Sequence, residues 1–303
     1  QAFDGFAVGQ PRRSPLRIWA WQHDGGGFYP AGSAFELVDA LLLEREAVHR
    51  PELAAALAGL TADELARAPL AGIHDFGLNA VCYPAHARGC EPWARRPGVR
   101  YDHPEGVAVH NFRRAAGPET PLERMRRHRD ERYGLAQALR DSPNTWFAWL
   151  VETTDATLLD DPRAAGLAGA RALTPAALRG ARPLLDVTAE LGFGSARDLD
   201  GDLLPGLIET GDALRTSPSV LDPITSRAQV RLAALGFRMQ VTPLELAEVA
   251  AAIATGRRVP PRLQAELNGR LTPNPTGMEL DIPTGRIREG MRLVVTDGAA
   301  RAA

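Results

Sequence analysis

The sequence predicts a chain in which helices carry most of the order and strands are short. Three observations lead there. Capping signatures recur: Ser33 with Glu36, Thr61 with Glu64 and Thr242 with Glu245 each set a hydroxyl three residues before a glutamate, at the head of an apolar run. Strand-like signals are confined to short stretches, Leu16-Arg17-Ile18-Trp19-Ala20-Trp21 and parts of 72–118. The chain has 303 residues, 45% of them hydrophobic, enough to bury a sizeable core.

Residues 1–28 read as an irregular lead-in with one possible short strand, ending in a flexible Gly25-Gly26-Gly27. A turn built on Pro30 and Gly32 then delivers Ser33 to a helix expected from Ala34 to about His49, with Ser33 as its N-cap and Glu36 completing the box. Pro51 starts a second helix and Thr61 caps a third. Residues 72–118 carry few helical signals and read as a long surface segment with short strands. From Pro121 to Arg140 one charged helix is expected, its buried stripe made of Leu122, Met125, Leu135, Ala136 and Leu139. His128-Arg129-Asp130 has the look of a kinase catalytic loop, but Leu135 stands where that loop needs asparagine.

The helix breaks at Asp141-Ser142-Pro143-Asn144, and an apolar helix follows from Thr145. Locally, Ser142 or Asn144 would cap it. Alternatively the tight turn offers a hydroxyl and an amide to one cleft. Residues 155–193 read as mostly helical and stop at Gly192-Phe193-Gly194. Asp198-Leu199-Asp200-Gly201-Asp202 imitates a calcium loop, but Leu203 occupies the position that needs glycine. Thr242, Pro243 and Glu245 supply N-cap, N1 and N3 of another helix running toward Gly256. Ile287, Met291, Val294 and Val295 recur at helical spacing, which predicts a helix over 286–296 despite the β-branched residues.

Formal charge is −2, with 35 basic and 37 acidic residues interspersed, so nothing argues for nucleic acid or a membrane surface. No apolar run approaches the ~20 residues of a membrane span, and no signal peptide is visible. The chain opens on Gln1, which we read as a processed form or a piece of a longer reading frame. Two cysteines, Cys82 and Cys90, lie in a Pro/His/Arg-rich stretch. They leave three options: a disulfide in an oxidising compartment, two free thiols, or a metal site completed by His86 and His74 at a spacing that fits no standard zinc pattern.

Tyr29-Pro30-x-Gly32-Ser33-x-Phe35, followed by an aliphatic helix ending at Glu44, resembles the nucleophile segment of penicillin-binding-protein transpeptidase domains. Three further blocks follow in the family's order. Ala138-Leu139-x-x-Ser142-x-Asn144-Thr145-x-Phe147 resembles its serine-x-asparagine motif. Leu235-Gly236, Thr242-Pro243-Leu244-Glu245-Leu246-Ala247 and Arg258-Val259-Pro260-Pro261 resemble its third block, and Gly290-Met291-x-x-Val294-Val295 the start of its fourth. Gly192-Phe193-Gly194 and Leu204-Pro205-Gly206 also have family parallels.

The resemblance implies an α+β, β-lactamase/transpeptidase-like fold over 29–303, an antiparallel sheet flanked by helices with a large all-helical lobe. It implies Ser33 as nucleophile, Ser142 as proton relay, Asn144 as a substrate-binding residue, and no cofactor or metal. It implies peptidoglycan stem peptides or β-lactams as ligands and cell-wall synthesis proteins as possible partners. The implied location is the periplasm, at the outer face of the cytoplasmic membrane, with the anchor not in this chain. Two departures qualify it. Glu36 stands where the family has lysine, and no Lys-Thr-Gly occurs, so the sheet is expected to be incomplete and the frame to be cut before that strand. A charge reversal beside the nucleophile is expected to cost at least the ~3–4 kcal/mol of one oxyanion-scale interaction. Two readings of function result: a serine D,D-transpeptidase domain, or an inactive relative that binds peptidoglycan or a cell-wall synthesis partner.

Overall fold

The computed structural model describes residues 31–68, 75–77, 108–110, 120–155, 183–195, 219–221, 224, 227–237, 239–261, 266–267, 269–271, 276–298 and 300–301. In chain order the helices are α1 (Glu36–Ala47), α2 (Pro51–Ala58), α3 (Ala62–Arg67), α4 (Pro121–His128), α5 (Leu135–Asp141), α6 (Asn144–Thr154) and α7 (Pro183–Glu190). They continue with α8 (Arg227–Ala234), α9 (Pro243–Thr255) and α10 (Gly285–Thr296). The strands are β1 (Asp75–Gly77), β2 (Ala108–His110), β3 (Val220–Leu221), β4 (Met239–Gln240), β5 (Arg257–Arg258), β6 (Glu266–Leu267), β7 (Arg270–Leu271) and β8 (Met278–Glu279). The chain divides into two compact units.

The larger unit comprises 32–187, 223–238 and 282–303. It is built around α1, whose Val38, Ala40, Leu41, Leu42 and Leu43 are fully buried. A helix buried around most of its circumference belongs at the centre of its unit, and α1 packs against α2, α5, α6 and α10. It also buries three carboxyl groups, Glu36, Asp39 and Glu44. Glu44 accepts a two-pronged bond from Arg286 of α10, Nε at 2.7 Å and Nη2 at 2.5 Å. Trp146 and Phe147 of α6 meet edge to face at 5.2 Å. On α8, Arg231 is fully buried and donates through Nε and Nη2 to Glu152 of α6 at 2.7 and 3.0 Å, a matched fork that compensates both buried charges.

Helix α10 forms as the spacing of Ile287, Met291 and Val294 predicts. It lies close on α5 because of Gly290: a Cβ there would come within 2.6 Å of Leu139 Cδ1. The same unit holds β1 and β2, antiparallel with Asp75 opposite His110, so short strands do occur within 72–118.

Two expectations fail here. The single helix over 121–140 is two helices. Arg129 takes a left-handed conformation (φ 58°) and closes α4, with the Asp130 N–H donating to the Met125 carbonyl at 3.0 Å. Tyr133 bridges back to Leu60, and Gly134 starts α5 where a Cβ would sit 2.5 Å from the Leu57 carbonyl. Long-range packing thus overrides a helical pattern; the stripe residues Met125, Leu135, Ala136 and Leu139 are still buried. The second failure is the Ser33–Glu36 capping box. Gly32–Phe35 is a 3-10 turn, Phe35 is the N-cap of α1, and no side chain caps it.

The smaller unit comprises 1–31, 188–222 and 239–281. Its described strands pair antiparallel in twos: β3 with β4, β5 with β8, β6 with β7. The expected capping box of α9 is present: the Glu245 N–H donates to Thr242 Oγ1 at 3.1 Å and the Thr242 N–H donates to Glu245 Oε2 at 3.0 Å. The glycine stop after α7 also holds. Gly192 has φ 83°, and the Phe193 N–H returns to the Thr188 carbonyl at 2.9 Å. The α+β class, helical dominance and incomplete antiparallel sheet therefore match the sequence reading.

The lead-in 1–28, Cys82, Cys90, His74, His86, most of 155–182, the acidic turn at 198–202 and Leu204-Pro205-Gly206 lie outside the described residues. Among the described residues no helix is long and apolar enough to cross a membrane, and no His/Cys/Asp/Glu group is arranged to hold a metal.

Candidate active site

Three residues far apart in sequence meet in the larger unit. Ser33 sits on the 3-10 turn and is exposed. Ser142 follows α5, half-buried, and its Oγ lies 3.1 Å from Ser33 Oγ. Glu36, buried in the first turn of α1, has Oε1 2.6 Å from Ser142 Oγ. The order from surface to interior is hydroxyl, hydroxyl, carboxyl.

The local backbone explains how each side chain is presented. Gly32 takes φ 56°, which lets the chain turn into the short 3-10 segment. That turn lies directly on Gly236, itself left-handed at φ 71°, where a Cβ would approach Gly32 O to 2.5 Å and Gly32 N to 2.6 Å. The Leu235-Gly236 pair thus supports the serine turn. Ser142 has φ 49°, one of two non-glycine residues with positive φ among the described residues. A serine held there carries backbone strain of ~1 kcal/mol or more. Its N–H closes α5 on the Ala138 carbonyl at 2.7 Å, and Pro143, not Ser142 or Asn144, is the N-cap of α6. The helix-cap reading of Ser142 and Asn144 is therefore replaced by a turn that aims the Ser142 hydroxyl at Ser33 and Glu36. Asn144 lies on the same turn but is 6% exposed.

Burial dominates the electrostatics. Loss of solvation raises the Glu36 pKa from 4.5 to about 8, against the lowering effect of its bonds to Ser142 and Ser33 and of the nearby Arg124 guanidinium. The sequence led us to expect a reversed charge beside the nucleophile; near pH 7 Glu36 is instead mainly neutral. Asp39, one turn further along α1, is fully buried, and burial followed by the Glu36 charge raises it well above the ordinary carboxylate range. Neither Asp39 oxygen has a hydrogen-bond partner. Arg124 of α4 is buried and donates to the Asp141 carbonyl, immediately before Ser142.

Sequence reasoning missed Asp39 and Arg124. Asp39 was detectable as the single acid inside Leu37-Val38-Asp39-Ala40-Leu41-Leu42, three residues after Glu36. Arg124 left no signal beyond one more charge on a charged helix. All 35 basic residues are arginine, and guanidinium does not serve as a base. A proton acceptor beside Ser33 supplied by a neighbouring side chain of this chain therefore cannot be an amine.

Hydroxyl and carboxyl in contact can pass a proton: each serine has one donor and two acceptor sites, so Ser33, Ser142 and Glu36 form a single file in either direction. No protein-family model and no curated protein sequence matches the chain. Solved structures do. A chain from a structure of a peptidoglycan synthase complex, described as coordinating polymerization and crosslinking, superposes with TM-score 0.50 at 16% identity, over 91% of this chain and 34% of that one. Penicillin-binding protein A from M. tuberculosis, as an imipenem acyl-enzyme complex, gives TM-score 0.50 at 16% identity, over 99% of this chain and 53% of that one. The protein thus spans between a third and about half the length of those two chains. It has the fold of penicillin-binding-protein transpeptidase domains, in a divergent form.

Proposed function

We propose that this chain carries a serine acyl-transfer site of the peptidoglycan D,D-transpeptidase type. Ser33 attacks the carbonyl of an acyl-D-Ala-D-Ala stem peptide, or of a β-lactam, and forms an acyl-enzyme. Ser142 relays protons to and from the Ser33 oxygen, and Asn144 contributes to holding the substrate amide. The domain 29–303 works in the periplasm, at the outer face of the cytoplasmic membrane, beside other cell-wall synthesis proteins. The observation that supports this most is the file Ser33–Ser142–Glu36, with contacts of 3.1 and 2.6 Å and only Ser33 exposed. A serine that merely capped a helix would have no need of a strained partner on another element.

One observation favours a second reading. Glu36 occupies the position of the family lysine, an internal change, and a site without that cation can persist as a binding module. In that case the chain binds peptidoglycan or a synthesis partner without turnover. Labelling with a fluorescent penicillin, beside pelleting with purified peptidoglycan, separates the two. Label on the protein that Ser33→Ala abolishes supports acyl transfer. Pelleting unaffected by Ser33→Ala, with no label in either protein, supports the binding module and overturns the first reading.

A further inference from the structure

We propose that Glu36 is the general base of this site, a carboxylate doing through Ser142 what an amine does elsewhere. The inference rests on the acyl-transfer reading above and adds the group that takes the proton. Glu36 touches the inner hydroxyl of the file: Ser142 Oγ lies 2.6 Å from its Oε1 and, on the other side, 3.1 Å from Ser33 Oγ.

The proton inventory closes. As Ser33 Oγ bonds to the substrate carbonyl carbon, its proton passes to Ser142 Oγ and the Ser142 proton passes to Glu36 Oε1. The carbonyl π pair moves onto oxygen. When the tetrahedral carbon collapses, the C–N bond breaks and its electron pair goes to nitrogen. Glu36 returns its proton through Ser142 to that nitrogen. An ester on Ser33 and a neutral amine remain, and Glu36 is again a carboxylate. Negative charge therefore moves from carboxylate to substrate oxygen and back. The two are never charged together, so the repulsion expected of a fixed carboxylate does not arise.

Charged groups around Glu36 suit a base that must be neutral after the transfer. Arg124 from α4 favours ionisation, and Asp39 on α1 itself is a second buried carboxyl, whose own ionisation the Glu36 charge opposes. From α5, Asp141 is held by Arg140 at 3.0 Å. From α10, Arg286 is committed to Glu44, two turns along α1, and from α6, Glu152 is committed to Arg231. At the start of α2, the exposed Glu52 is paired with Arg50. Below its midpoint of about 8, Glu36 keeps its proton. The file then runs outward, Glu36 donating to Ser142 and Ser142 to Ser33. Above the midpoint it runs inward and Ser33 becomes the donor. This orientation switch is specific to a carboxyl at position 36.

The test is the second-order rate of penicillin acylation against pH for the wild type, Glu36→Gln and Glu36→Asp, with Ser33→Ala as the background. The wild-type rate should rise tenfold per pH unit and level off near pH 8. Glu36→Gln should be slower by ~100-fold or more and lose the rise, with Glu36→Asp recovering part of both. A wild type labelled at Ser33 with a flat profile over that range overturns the inference and leaves the acyl-transfer reading standing, as does a folded Glu36→Gln protein within threefold of it. Absence of Ser33 labelling at every pH overturns both. The wild-type profile decides the matter even if Glu36→Gln does not fold.

Discussion

Replacing Glu36 by Gln should stabilise the folded protein while it removes acylation. The carboxyl titrates at about 8 in the folded chain and near 4.5 when solvated. Between those values the unfolded chain has released a proton that the folded chain retains, so stability falls as pH rises. The loss begins above the unfolded value and levels off once pH passes the folded one. At ~1.4 kcal/mol per pH unit it amounts to about 3 kcal/mol at pH 7 and about 5 kcal/mol above pH 8. A glutamine keeps the volume and can accept the Ser142 hydrogen bond, but cannot ionise. Asp39 contributes with the same sign, because burial raises it too. The variant should therefore keep a reduced slope, not lose it entirely. The assay is urea unfolding of both proteins at several pH values between the two titration points and beyond. Below the ordinary glutamate range the curves should converge; at pH 8 Glu36→Gln should be the more stable by several kcal/mol. Equal slopes, or a variant weaker at high pH, would refute the idea that Glu36 is buried neutral.

Other perturbations probe the scaffold. Gly236→Ala forces a Cβ to 2.5 Å from Gly32 O at a left-handed position, so it should destabilise by ~1–3 kcal/mol and slow Ser33 labelling, whereas most surface changes leave labelling alone. Glu152→Ala removes the two-pronged carboxylate from the buried Arg231 and should cost ~3–5 kcal/mol in denaturant unfolding. Gly290→Ala would ordinarily favour a helix by ~1 kcal/mol. Here the new methyl meets Leu139 at 2.6 Å, so a lower melting temperature is expected, and a higher one would show that α10 does not press on α5 as described.

What the sequence revealed depends on the range of the interaction. Thr242, Pro243 and Glu245 decide the start of α9 among themselves, as Thr61 and Glu64 do for α3, and both were legible. Ser33 and Glu36 have the same spacing but fail as a box because Ser142, distant in sequence, takes the carboxyl. Only the order of two family-like motifs pointed to that contact. The break between α4 and α5 was illegible for a similar reason: Tyr133 pairs with Leu60 and Gly134 fits under Leu57, contacts no periodicity contains. The charge state of Glu36 could not be read from residue identity, because it follows from full burial.

The most direct measurement is intact-mass spectrometry of the chain after incubation with a penicillin, one pH unit above the Glu36 midpoint of about 8, followed by peptide mapping. A gain of one penicilloyl group, mapped to Ser33 and missing from Ser33→Ala, is the expected result. A folded protein that gains no mass, or that carries the acyl group on another residue, would contradict the assignment of Ser33 as the nucleophile.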